Sequence, residues 1–144
     1  MSRTIAAYDQ ARAAARVSAV DAGRRPIARW DDLGAYRTIL STLGSDDPRS
    51  FIPATVTALI KAPDAEQVVP TVLAWLDHGD DARAAAEALY VHRSSLYNRL
   101  RRAEAVAGID LRAGDDRLEL HLGLRLWQLA GGTIADLPER DRSA

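Results

Sequence analysis

Aspartate pairs and single glycines cut this chain into helix-length pieces, and that punctuation limits the folds open to it. Asp31-Asp32, Asp46-Asp47, Asp80-Asp81 and Asp115-Asp116 each stand just ahead of a stretch with helical patterning. A carboxylate there accepts from free backbone N–H groups and meets the positive end of the helix dipole. Gly23, Gly44, Gly79, Gly108 and Gly131 close helical stretches, where a left-handed residue is wanted. The pattern predicts helices over Ile5–Ala22, Leu33–Leu43, Pro48–Ala62, Ala65–His78, Ala82–Leu89, Arg93–Ala107 and Arg117–Ala130. A short extended piece is expected at Ile27–Trp30. Pro70 either kinks the Ala65–His78 helix or marks its true start, because an interior Pro removes a backbone hydrogen bond. The polar end from Thr133 to Ala144 contains Pro138 and reads as a flexible tail. No internal repeat is visible.

The fold class is therefore mainly α, a helical bundle with a possible short strand near 27–30. Composition agrees: 47% of the 144 residues are hydrophobic and only 6% aromatic, so the core must be built from Ala, Leu, Val and Ile. Ala and Leu lose little side-chain entropy in a helix. Leu118, Leu120, Leu122, Leu124 and Leu126 alternate as a strand would. The run holds no β-branched residue, however, and Leu118, Leu122, Leu126 and Leu129 form a helical stripe. A helix is expected, with that stripe on the core. Leu120, Leu124 and Trp127 should then point elsewhere, towards the Leu33–Ala62 helices or a second subunit.

Several function classes drop out. The chain has no Cys, which excludes disulfides, thiolate metal sites and a Cys nucleophile. No apolar run approaches membrane-spanning length, and the N-terminus lacks the layout of a signal peptide. The aspartate pairs are explained as caps, and no His or Glu stands beside them at ligand spacing, so no metal is expected. His78, His92 and His121 show no HxH or HxxxH spacing. His92 beside Ser94 and Ser95 suggests a hydrolase, but there is no Gly-x-Ser-x-Gly elbow and no acid placed to orient the His. Hence no enzyme and no cofactor is expected. His121 reads as a satisfied helix residue, and Trp30, Trp75 and Trp127 as core or interface anchors. Lys61 is the only lysine among abundant arginines, a sign of base bias in a GC-rich bacterial genome.

The chemistry lies between Asp80 and Gly108, in DDARAAAEALYVHRSSLYNRLRRAEAVAG. A short Ala-rich helix permits close approach, a tight connection follows at Tyr90-Val91-His92, and a longer helix comes next. Leu96, Leu100, Ala103 and Ala107 fall on one face of that second helix, which must be its core face. Ser94, Ser95, Asn98, Arg101 and Arg102 fall away from it. From Arg93 to Arg102 there are four arginines and no acid, a local basic patch hidden in a net charge of −1. Two short helices, a tight turn and a basic, polar second helix are the parts of a major-groove reader.

The stretch RAAAEALYVHRSSLYNRLRR resembles the helix-turn-helix of the Fis-type group, with Ala86 at the small-residue position and Val91, Leu96 and Leu100 at buried ones. From Val68 to Leu129 the chain is similar to the C-terminal domain of PucR/CdaR-family transcriptional regulators. The landmarks are Leu76-Asp77-His78-Gly79, Val91-His92-Arg93, Leu96-Tyr97, Arg99-Leu100-Arg101-Arg102, Glu104, Gly108, Asp110-Leu111, Asp116-Arg117 and Leu122–Trp127. Two departures stand out. The family usually has Asn-Thr after His-Arg, where this chain has Ser94-Ser95. Many helix-turn-helix proteins have Gly where this chain has Tyr90. YDQARAAARVSAVDAGRRPIARWDDLGAYRTIL resembles the end of a degenerate GGDEF-like middle domain, without a catalytic motif.

The resemblance implies residues 1–62 as the remnant of that middle domain and connecting helices, 63–132 as the helix-turn-helix DNA-binding domain and 133–144 as the flexible tail. It implies sequence-specific duplex DNA binding by a bacterial, cytoplasmic regulator, with a homodimer as the working form and no membrane. The effector would be bound by a sensory region absent from this chain. Arg93, Ser94, Ser95 and Asn98 are the base-edge candidates. Arg83, His92, Tyr97, Arg99, Arg101 and Arg102 are the phosphate candidates, Tyr97 being equally able to pack beside the core. The alternative is an all-helical protein–protein interaction module with a basic docking face.

Overall fold

The computed structural model describes residues 2–20, 31 and 33–139. The expected extended piece at 27–30, with Trp30, Gly23 and Asp32, lies outside the described residues. Among the described residues seven α-helices run in chain order, α1 (Ser2–Val20), α2 (Ala35–Leu43), α3 (Ala54–Ile60), α4 (Ala65–Asp77), α5 (Ala82–Ala88), α6 (Arg93–Ala107) and α7 (Gly114–Leu129). Short 3-10 turns occupy Pro48–Phe51 and Ile134–Asp136. The described residues contain no strand.

The boundaries follow from local chemistry. Asp81 caps α5 by accepting from the amides of Arg83 and Ala84, and Asp47 accepts from Arg49 to start the 3-10 turn. The single helix expected over 48–62 is broken in two. Pro53 has no N–H and holds the residue before it extended, so Ile52 and Pro53 separate the 3-10 turn from α3. Pro70, by contrast, stands inside α4. Helix α7 begins at Gly114, three residues earlier than expected, so Asp115 and Asp116 occupy its first turn instead of preceding it. Asp116 reaches back to accept from the Asp110 amide at 2.7 Å.

The main core joins α3, α4, α5, α6 and α7, with Leu59, Val68, Val69, Val72, Leu96, Leu120 and Leu124 completely or almost completely buried. Burying each such side chain contributes about 1.5–3 kcal/mol. Val56, Leu59 and Ala62 belong to this core, so α3 packs with the helix-turn-helix across the expected boundary at 62/63. A smaller cluster gathers Ala14, Val17 and Leu33 around Leu129 at the end of α7. Arg16 donates to the Leu129 carbonyl there at 2.6 Å. At the other end Leu137 is buried in the main core, and Glu66 N donates to Pro138 O, so the chain past Thr133 is packed at least this far.

The core face of α7 departs from the expected stripe at Leu118 and Leu122, while Leu120, Leu124 and Trp127 gather with Val56 and Leu59, in line with the expectation that they face the helices over 33–62. Leu118 is 66% exposed and Leu122 39%, whereas Leu120, Leu124 and Trp127 are buried with Leu126 and Leu129. The cause is close approach by the Pro53–α3 segment, which the small residue Gly123 permits. A Cβ on Gly123 would lie 2.6 Å from Val56 Cγ2 and 2.7 Å from Pro53 Cδ. The stripe centred on Gly123 therefore turns inward and carries Leu120, Leu124 and Trp127 with it. Polar groups on the same helix are satisfied by α4: Asp77 pairs with Arg125 and accepts from His121 Nε2 at 3.2 Å. His121 is thus a partnered helix residue.

Candidate nucleic-acid interface

Helix α6 is held between α3, α4 and α5 by one narrow stripe, in which Leu96 and Ala103 are fully buried and Leu100 nearly so. Val91 packs against that core from the connection, and its amide bonds the Ala86 carbonyl, tying the turn to α5. Tyr90 sits in the left-handed region at φ 54° and is 97% exposed, so the connection keeps the shape that Gly usually supplies, at a steric cost. At its far end α6 stops at Gly108, also left-handed, whose amide returns to the Glu104 carbonyl.

The first turn of α6 is built by His92. Its Nδ1 accepts from the Ser94 amide at 3.3 Å and lies 2.8 Å from Ser94 Oγ. With Nδ1 turned to the Ser94 amide, Nε2 is the ring nitrogen left to face outward. Beyond this cap, Arg93, Ser94, Asn98 and Arg101 are exposed, while Ser95 and Arg99 are half-buried along one flank. Arg101 Nη2 donates to Asn98 Oδ1, which links two neighbouring side chains of the outward face. Four base-edge candidates thus cluster at the N-terminal half of one helix, three of them freely exposed.

The phosphate candidates divide. Arg83, on α5, pairs with Glu87 at 3.0 Å, but both side chains are well exposed and such a pair is worth only about 0.3–0.5 kcal/mol. Arg93 and Arg99 make no ion pair among the described residues. Tyr97 is partly exposed at the rim of a cleft of about 510 Å³, beside Trp75, Ile109 and Leu111. Arg102 has a further partner, its Nε donating to Asp64 Oδ2 at 3.0 Å. Sequence reasoning missed Asp64, whose only local sign is its place ahead of α4.

The charge pattern of this face is one-sided. No acid stands between Glu87 and Glu104. Of the nearby acids, Asp81 serves as a cap, Asp80 pairs with Arg117 and Glu104 accepts from the Leu111 amide at 2.9 Å, while Asp64 pairs with Arg102 of α6 itself. Arg93, Arg99 and Arg101 of α6 are thus left with no carboxylate partner among the described residues, which favours a positive outward face. No cluster of His, Cys, Asp or Glu able to hold a metal occurs among the described residues, and no described helix is long and apolar enough to cross a membrane.

The profile of the PucR C-terminal helix-turn-helix domain matches residues 68–126, which run from the start of α4 into α7. The carbohydrate diacid regulator of Escherichia coli (strain K12) is 41% identical over 56 residues, 39% of this chain. That match covers only 14% of the regulator's own length. No solved structure matches the chain.

Proposed function

We propose that the PucR-type helix-turn-helix at residues 68–126 binds duplex DNA sequence-specifically, as the output domain of a bacterial transcriptional regulator. The observation that carries this reading is the two-sidedness of α6. Leu96, Leu100 and Ala103 fasten it to the core, while Ser94, Asn98 and Arg101 stand outward with no acid among them. The major groove admits one helix, whose N-terminal side chains meet base edges while flanking cations neutralise phosphates. Arg93, Ser94, Ser95 and Asn98 read bases. Arg83, His92, Tyr97, Arg99 and Arg101 contact phosphate, His92 through Nε2 and Tyr97 through its hydroxyl.

A single recognition helix covers one half-site, so the working form is a homodimer on a two-fold operator. Residues 1–62 comprise the end of a GGDEF-like middle domain and connecting helices, and the regulator works in the bacterial cytoplasm. The similarity to a diacid regulator supports a regulatory role and leaves this chain's own effector open. The test is selection of bound duplexes from a random library. Enrichment of a defined motif is expected, and an unenriched library would refute sequence-specific binding.

A further inference from the structure

We propose that Arg102 is a positioning residue that fixes α6 against the start of α4, and that it does not clamp DNA phosphate. The proposal rests on the DNA-binding reading above and gives Asp64 a part in it. Arg102 leaves the outer flank of α6 and meets Asp64 at 3.0 Å across 38 residues of sequence. Asp64 occupies the N-cap position of α4, yet its side chain caps nothing there. It is turned to α6 instead.

The two partners are unequally buried. The Asp64 side chain is 22% exposed and that of Arg102 48%. Asp64 Oδ1 is buried and has no hydrogen-bond partner among the described residues. A carboxylate in that state depends on the guanidinium beside it, and removing that cation leaves a poorly solvated charge. Swinging Arg102 out to a phosphate would do just that. Arg83 is different, since its carboxylate partner Glu87 is 69% exposed and water can replace the guanidinium.

The pair also sits where leverage is greatest. Helix α6 packs on α3 and α4, and Asp64 lies in the corner between those two helices. Arg102 is one turn beyond Asn98, so the tie fixes the rotation of α6 about its own axis. That rotation sets the direction of Ser94, Asn98 and Arg101.

Electrostatics alone argues the opposite result for one variant, which makes the test sharp. Removing an acid close to a DNA-binding face should strengthen binding and free Arg102 for a phosphate. Asp64→Asn, Arg102→Gln and the double variant would be compared with the wild-type chain on the selected duplex and on random duplex, over a range of salt, with melting temperatures. Each single variant is expected to weaken binding to the selected duplex by about tenfold. The double variant should be no worse than either single one, the salt slope should stay unchanged, and the preference for selected over random duplex should fall. That preference is measured where circular dichroism shows every variant folded, so stability alone cannot move it; an unchanged preference would overturn the proposal. Tighter binding by Asp64→Asn, or a salt slope shallower by about one for Arg102→Gln, would make Arg102 a phosphate clamp and overturn it equally. If a single variant unfolds because it leaves one charge bare, the double variant decides by the same two readouts. A wild-type chain that binds no duplex would remove the DNA-binding reading itself, and the proposal with it.

Discussion

His92 Nδ1 stands 2.8 Å from Ser94 Oγ and 3.3 Å from the Ser94 amide, so one imidazole both caps α6 and orients a base-edge candidate. His92→Ala removes the cap and should lower stability by about 1 kcal/mol in chemical denaturation. Ser94→Ala keeps the cap to the backbone and should shift stability by less than about 0.5 kcal/mol while altering duplex preference. A Ser94 variant that unfolds would place the capping role on the wrong atom pair.

The inward stripe of α7 makes a second expectation. Leu124 is fully buried, so Leu124→Asp should abolish the folded state seen by circular dichroism. Leu122 is on the partly exposed side, and Leu122→Asp should fold with a melting temperature close to wild type. The opposite ranking would restore the stripe through Leu118 and Leu122 as the core face.

The exposure of Leu118 and Leu122 marks where the sequence stopped being legible. On α6, the stripe Leu96, Leu100 and Ala103 was readable because the other face is plainly polar. On α7 every second residue is Leu, so two stripes were available and hydrophobicity could not rank them. The deciding residue was Gly123, whose lack of a side chain lets Pro53 and Val56 approach. Its meaning depends on a partner some 70 residues earlier, which no local pattern carries. The break at Pro53 was open to reading from the chain rules for Pro. The Arg102–Asp64 pair was not, because an arginine in a basic run looks alike whether it faces solvent or a distant aspartate.

Gly123 itself offers a direct check on the α3–α7 contact. A Cβ at 2.6 Å from Val56 Cγ2 has no room, and both near neighbours are anchored. Gly123→Ala should destabilise the protein by about 1–3 kcal/mol, although Ala normally favours a helix. A neutral or stabilising effect in thermal melts would mean that α7 packs at a greater distance.

Tyr90 contributes no buried surface, and its backbone lies in the left-handed region. Asn tolerates that region better, so Tyr90→Asn should raise stability by up to about 1 kcal/mol. Loss of stability would show that the Tyr ring makes a contact worth more than the backbone strain.

Salt-dependent titration of the selected duplex decides whether α6 reads duplex DNA. The wild-type chain should bind with log K falling linearly in log salt, by about 0.9 per phosphate contacted. Arg93→Ala should weaken the selected duplex by about 1–3 kcal/mol and relax preference at one base position. Equal binding of selected and random duplexes by the wild-type chain, or binding only to acidic proteins, would contradict the account and leave α6 as a basic docking face.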